Sequence, residues 1–167
     1  MRYIDVLMET AKPHWQSCQH PDPQVKLLCR ALSTWVCGDM DEVQNDLLAL
    51  EATANHFTSG HAALYRGYMP DRAQKESLRQ NGFFDIISAG RPLASWSSEQ
   101  DSATDFMFGF DSAYVVIKKE GLDEFCDLVR FDEEAQPFTK MRAQDEVIVK
   151  MPPVLRVNAS DIVFRSE

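Results

Sequence analysis

Three short segments of this chain carry residues that could do chemistry. In Leu64-Tyr65-Arg66-Gly67 a guanidinium sits inside an apolar strand, where a charge needs an anionic partner because burying it bare is costly. Gly67 removes a side chain where something could approach the backbone closely. Taken alone, an arginine at a sheet edge, paired with a nearby acid, is the plainer reading. In Ala94-Ser95-Trp96-Ser97-Ser98, strand alternation puts Ser95 and Ser97 on one face and Trp96 on the other. Ser98 is placed to cap the helix that follows, whose first turn is acidic. In Ala143-Gln144-Asp145-Glu146 an amide and a carboxylate two residues apart enter a strand and face one way. Surface strands carry such pairs routinely, so the third segment gains meaning only beside the other two.

The elements that must position these groups fall into two textures. Up to about residue 54 the pattern is helical: Val25, Leu28, Cys29 and Leu32 recur at helix spacing, as do Val43, Leu47, Leu48 and Leu50. Asp22 is placed to cap a helix beginning at Pro23. From about residue 62 short strands alternate with turns. Strands are predicted over 62–68, 93–97, 113–118, 146–150, 154–157 and 162–164. Helical turns are predicted over 72–80, stopped by Asn81-Gly82, and over 98–106. Residues 122–128 fit either type, and 131–142 read as a polar loop. The expected fold class is α+β, with a helical N-terminal third packed on a mostly antiparallel β core. One domain is expected, its residues 1–60 helical and 61–167 a β-rich catalytic core.

Composition narrows the function. With 167 residues, 44% of them apolar, the chain supports one compact core. A formal net charge of -9 repels nucleic-acid backbones at long range and argues against a dedicated DNA-binding module. A local basic groove on an acidic whole still leaves a nucleic-acid substrate open. Cys18, Cys29, Cys37 and Cys126 form no CxxC pair, so idle reduced thiols in a reducing cytoplasm are expected, not a metal centre. Arg2, Asp5 and Glu9 interrupt the first ten residues, against a signal peptide. No run is long enough to span a membrane. His14, His20, His56 and His61 have no carboxylate at triad-like spacing and read as surface or satisfied histidines. No glycine-rich phosphate loop supports a kinase or Rossmann reading.

In this order, Arg66, then Ser95-Trp96-Ser97, then Gln144-Asp145-Glu146, the segments resemble the Arg–Ser–Glu class of ADP-ribosyltransferases over about residues 62–164. That family runs an arginine strand, a Ser-x-Ser strand with its helix, and a Glu-x-Glu or Gln-x-Glu strand. Residues 146–149, Pro152-Pro153 and 154–157 look like its closing hairpin. The resemblance implies N-terminal helices packed on a split β core of two small sheets, with NAD as the substrate, bound without metal in a cleft between them. Glu146 would stabilise the oxocarbenium-like ribose, Arg66 would clamp the pyrophosphate, and Ser95 would orient Glu146 and the NAD. Tyr65, Gly67 and Ser97 would line the cofactor site, Gly67 offering backbone groups to the nicotinamide amide. Phe106, Phe108 and Phe110 could stack on the nicotinamide, with ordinary core as the alternative, above all for Phe106. Trp96 replaces the family's small central residue and should point away from the cleft.

Gln-x-Glu looks like the exoenzymes that modify Rho proteins and the pierisin-like enzymes that modify guanine. An amide cannot act as a general base near neutral pH, so Gln144 argues against an arginine acceptor and for an amide, thiol or base. Phe138, in the preceding loop, either touches the acceptor or anchors the loop. The implied function is mono-ADP-ribosyl transfer from NAD to a macromolecule, protein or nucleic acid, by a cytoplasmic effector of phage or toxin type with no membrane partner. The rivals are an NAD glycohydrolase and a non-catalytic interaction domain.

Overall fold

The computed structural model describes residues 20–36, 40–110, 112–135 and 145–166. Cys18, Cys37, His14, Phe138 and Gln144 lie outside these residues, as do the N-terminal end of the helical stretch and positions 136–142 of the expected loop.

The first helix, α1 (Pro23–Val36), starts where the sequence says it should. Asp22 Oδ1 accepts the Gln24 amide at 2.8 Å, and Val25, Leu28, Cys29, Leu32 and Trp35 form its buried stripe. Helices α2 (Met40–Ala49) and α3 (Glu51–Ala54) follow, then a 3₁₀ turn at Asn55–Phe57. Strand β1 (Ala63–Tyr68) leads to α4 (Arg72–Asn81), which opens on a capping box between Asp71 and Gln74 and ends at left-handed Gly82. Then come β2 (Phe83–Ile87), β3 (Leu93–Ser97), α5 (Gln100–Met107), β4 (Val115–Glu120), β5 (Asp123–Asp127), α6 (Leu128–Ala135), β6 (Glu146–Lys150), β7 (Val154–Asn158), a 3₁₀ turn at Ala159–Asp161, and β8 (Ile162–Arg165).

The fold is α+β with two antiparallel sheets. Six strands run in the order β5-β6-β3-β1-β4-β8, and β2 pairs with β7 in a separate ribbon. The larger sheet is itself split. β3 pairs with β6 along its whole length and β1 with β4 along its whole length, yet β1 and β3 meet at one pair, Tyr65 and Ser97. Two half-sheets are therefore hinged at that pair and part beyond it.

Two cores cover the two faces. On one, the N-terminal helices pack on Leu93, Phe125, Cys126 and Ile148. Gln44 adds a polar tie there, its side-chain amide exchanging hydrogen bonds with both backbone groups of Leu93, which satisfies a buried strand end. On the other, the β2–β7 ribbon covers Leu64, Trp96, Ile117, Val147 and Val149. Coverage on both sides explains why Val147, Ile148 and Val149 are consecutive and all buried.

Several expectations need correction. β6 and β7 form no hairpin, because β7 crosses to the ribbon and pairs with β2. Residues 128–135 are helical, because Asp127 Oδ1 accepts the Val129 amide and caps the turn. The ambiguous stretch 122–128 is largely strand β5. The residue capping α5 is Glu99, which makes no side-chain bond there, while the Ser98 hydroxyl turns to the Asp145 carbonyl. Cys29 and Cys126 are buried, and burial pushes the Cys126 thiol well above its usual range.

Gly67 has a packing reason. A Cβ built there would collide with Met107 Cγ, lie 2.8 Å from Met107 Sδ and 3.1 Å from the Ala103 carbonyl. The group that approaches this backbone is α5, not a ligand. Gly67→Ala is expected to cost about 1–3 kcal/mol by forcing α5 away, and Met107→Ala in the same chain should recover part of it. Chemical denaturation of both variants measures this.

Candidate active site

The pairing register fixes which side chains share a face, since directly opposed residues in an antiparallel pair point the same way. Tyr65 opposes Ser97, and Ser97 opposes Glu146. These three form one row on the helix-covered face, together with Ser95, whose partner Ile148 belongs to the helix-side core. Arg66 is one residue past the hinge, opposite Ile117, and so projects to the ribbon-covered face with Leu64 and Trp96. Sheet spacing sets its Cα about 10 Å from that of Glu146, two strands away. The structure thus brings Tyr65, Ser95, Ser97 and Glu146 together on one face and puts Arg66 on the other. All lie around the point where the half-sheets part.

Glu146 is half-buried and held by two donors. Trp35 Nε1 donates to its Oε2 at 2.7 Å, and the Ser95 hydroxyl gives a second bond. Burial pushes the carboxyl above the usual glutamate range, and these two bonds draw it partly back. The residue before it, Asp145, has a positive φ of 50°, a conformation that asparagine and aspartate tolerate better than most. Its carbonyl accepts the Ser98 amide at 3.0 Å, and its carboxylate accepts the Ser102 hydroxyl at 2.9 Å. The first turn of α5 thereby pins the segment that delivers Glu146. Ser97 is buried and its hydroxyl accepts the Glu99 amide at 3.2 Å.

Arg66 is half-buried, in an interior strand, and makes no hydrogen bond or ion pair among the described residues. The sheet-edge arginine paired with a local acid is therefore not what the fold builds. Desolvation lowers its pKa; Tyr68 raises it, and the positive Arg91 lowers it further. Across the hinge on the same face, the buried indole nitrogen of Trp96 also has no acceptor. Two donors without acceptors thus occupy neighbouring positions, where buried donors are normally satisfied.

The three phenylalanines are not core. Phe106 is 51% exposed, Phe108 86% and Phe110 48%, because α5 ends at Met107 and the chain turns outward at Gly109. Phe106 and Phe110 lie 6.4 Å apart, tilted, on this outer turn.

Two functional candidates escaped sequence reasoning. Trp35 looks like one more member of the stripe of α1, and no local signal marks its N–H as a ligand of a carboxylate 111 residues away. His61 has no acid at short spacing, yet the fold sets its Nδ1 2.6 Å from Glu124 and its Nε2 3.8 Å from Asp127. The other oxygen of Glu124 accepts the Gly60 and His61 amides, and Asp127 also accepts the Ser59 hydroxyl at 2.6 Å. With one oxygen of each carboxylate held by backbone amides, the cluster acts as a clasp holding residues 58–61, just before β1, onto β5.

Because Trp35 keeps the Glu146 carboxyl down, Trp35→Phe should raise its pKa while preserving most of the ring's packing. The ionised form is then lost at a higher pH, so any activity depending on it should have its acid limb displaced upward. Removing a bond to a charged group also costs about 1.5–3 kcal/mol of stability. Carboxyl titration by NMR and a denaturation curve read the two effects separately.

Compared with family models, curated proteins and solved structures, the chain matches none. Among the described residues no helix is long and apolar enough to cross a membrane.

Proposed function

We propose that the chain is a mono-ADP-ribosyltransferase, moving ADP-ribose from NAD to a macromolecular acceptor, either a protein side chain or a nucleic-acid base. The observation that carries this reading is Arg66: a half-buried guanidinium with no anion beside it among the described residues, at the hinge of a split sheet. An anionic ligand would relieve its desolvation, and a pyrophosphate matches its forked donors. The dinucleotide would thread the gap between the half-sheets, pyrophosphate on the Arg66 side and nicotinamide ribose against Glu146. There the bond from ribose to nicotinamide breaks and its electron pair leaves with the nicotinamide. Positive charge grows on the sugar as in glycoside hydrolysis. Glu146, accepting a ribose hydroxyl and held by Ser95 and Trp35, stabilises that charge. The chemistry asks for no metal. A cytoplasmic effector of phage or toxin type is the setting the resemblance suggests.

The test is wild-type protein with NAD labelled on nicotinamide and, separately, on adenine. Nicotinamide release with adenine label fixed to macromolecules supports transfer, and protease and nuclease treatment then identify the acceptor. Label found only in free ADP-ribose makes the chain a glycohydrolase.

One observation favours a second reading. Arg66 and Glu146 project from opposite faces, and Trp35 already occupies one oxygen of Glu146. In a non-catalytic binding domain Glu146 would simply tie the helices to the sheet. Absence of any nicotinamide release would decide for that reading.

A further inference from the structure

A cavity of about 290 Å³ opens between α4 and the ends of β4 and β8. Pro70, Leu78 and Val115 give it an apolar floor, Tyr114 a ring, and Lys75, Arg79 and Arg165 a cationic rim. Lys75, Leu78 and Arg79 come to one side because they stand three and four apart on α4. The opposite wall is fixed by bonds between the two strand ends. The Ser166 amide donates to the Tyr114 carbonyl at 2.9 Å, and the Tyr114 amide donates to the Ser166 hydroxyl at 2.7 Å.

The charge here runs against the rest of the molecule. The chain has a net charge of -9, yet no carboxylate lines this cavity. Arg79 is bridged to Glu76 at 2.5 Å, with both side chains largely exposed. Lys75 and Arg165 have no acidic partner among the described residues. Two unneutralised cations above an apolar floor with one aromatic wall complement a ligand that is flat at one end and doubly negative at the other. The volume lies at the lower end of the range for small-molecule sites, enough for one such unit.

We propose that this cavity binds a nucleoside monophosphate, with its phosphate between Lys75 and Arg165 and its base on Leu78, Val115 and the Tyr114 ring. It is a second site, distinct from the NAD position proposed above, although close to it. Val115 opposes Tyr68, which is two residues along β1 from Arg66, about 7 Å by strand rise. The site therefore stands where a bound nucleotide could report on, or extend, whatever Arg66 holds.

Titration calorimetry of the whole chain with AMP, adenosine and inorganic phosphate tests this. AMP is expected to bind at least tenfold more tightly than either fragment, and more weakly as salt rises. Lys75→Glu and Arg165→Glu should each weaken it at least tenfold. Both residues lie at the surface, and either variant serves if the other fails to fold. AMP binding should persist in Glu146→Gln and Arg66→Met, which separates this site from the transferase reading. No AMP binding at millimolar concentration, binding indifferent to both charge reversals, or binding abolished by Arg66→Met would each overturn the proposal.

Discussion

Glu146→Gln is expected to reduce nicotinamide release by about 100- to 1000-fold while the protein remains folded. The substitution removes the negative charge at nearly unchanged shape, leaving one acceptor oxygen for Trp35 and an NH2 that can donate to the Ser95 hydroxyl oxygen. A preorganised group aimed at charge that develops in the transition state is worth roughly that factor. Because the ground-state contacts survive, kcat should fall and KM should change little. Steady-state kinetics of purified wild type and variant measure this. Turnover within threefold of wild type would remove Glu146 from the mechanism and leave it as a tie between helix and sheet.

The same substitution has a pH signature that needs no catalysis. Burial raises the Glu146 carboxyl in the folded state, so between its unfolded and folded values the native protein holds more protons than the unfolded one. Stability then falls as pH rises through that window. Its contribution is full below the unfolded value and is lost once the folded group ionises. Glu146→Gln cannot titrate and should lack this component, so melting curves of variant and wild type should diverge above pH 4.5 in the variant's favour. Parallel melting curves across that range would mean the carboxyl is not desolvated.

Legibility of the fold differed sharply with the range of the interactions. Local signals located what local chemistry decides: Asp22 before Pro23, the stripe of α1, Gly82 ending α4, and the Pro152-Pro153 break. Short strands following a helical third announce an antiparallel β core, whereas its split into two sheets was implied by the resemblance alone. Pairing across long distances could not. Nothing in residues 146–157 shows that β7 leaves its neighbour for β2, since two adjacent apolar strands normally read as a hairpin. Phe131 to Ala135 read as loop because its composition is polar, while the cap that makes 128–135 helical, Asp127, also serves as a strand end. At the candidate site, alternation correctly separated Ser95 and Ser97 from Trp96. Applied across strands, it needs the register, and only the register reveals that Arg66 and Glu146 project from opposite faces. Gly67 shows the commonest ambiguity. A missing side chain marks a close approach without saying whether a helix or a ligand makes it, and here α5 does.

Arg66→Met is expected to make the protein more stable and to weaken its binding of NAD at least about 30-fold. The guanidinium is half-buried without an acid among the described residues, and burial already disfavours its charged form. Replacing such a group by an apolar chain of similar length removes the desolvation cost and keeps the packing of the aliphatic stem. Because the group is partly open to solvent, a gain of about 1 kcal/mol is the reasonable scale, which for a domain of this size is about 2–4 °C in Tm. Truncating a charged contact to a ligand works in the other direction and typically costs about 2–5 kcal/mol of binding. That is at least about 30-fold in Kd. The opposite signs are the informative part. A structural arginine destabilises the fold when removed, whereas one kept for a ligand relieves it. Differential scanning calorimetry with and without NAD tests both signs together: wild type should melt higher with NAD, and Arg66→Met should melt higher alone but not respond to it. If the variant melts lower than wild type and still responds to NAD, the guanidinium belongs to the scaffold and the dinucleotide lies elsewhere.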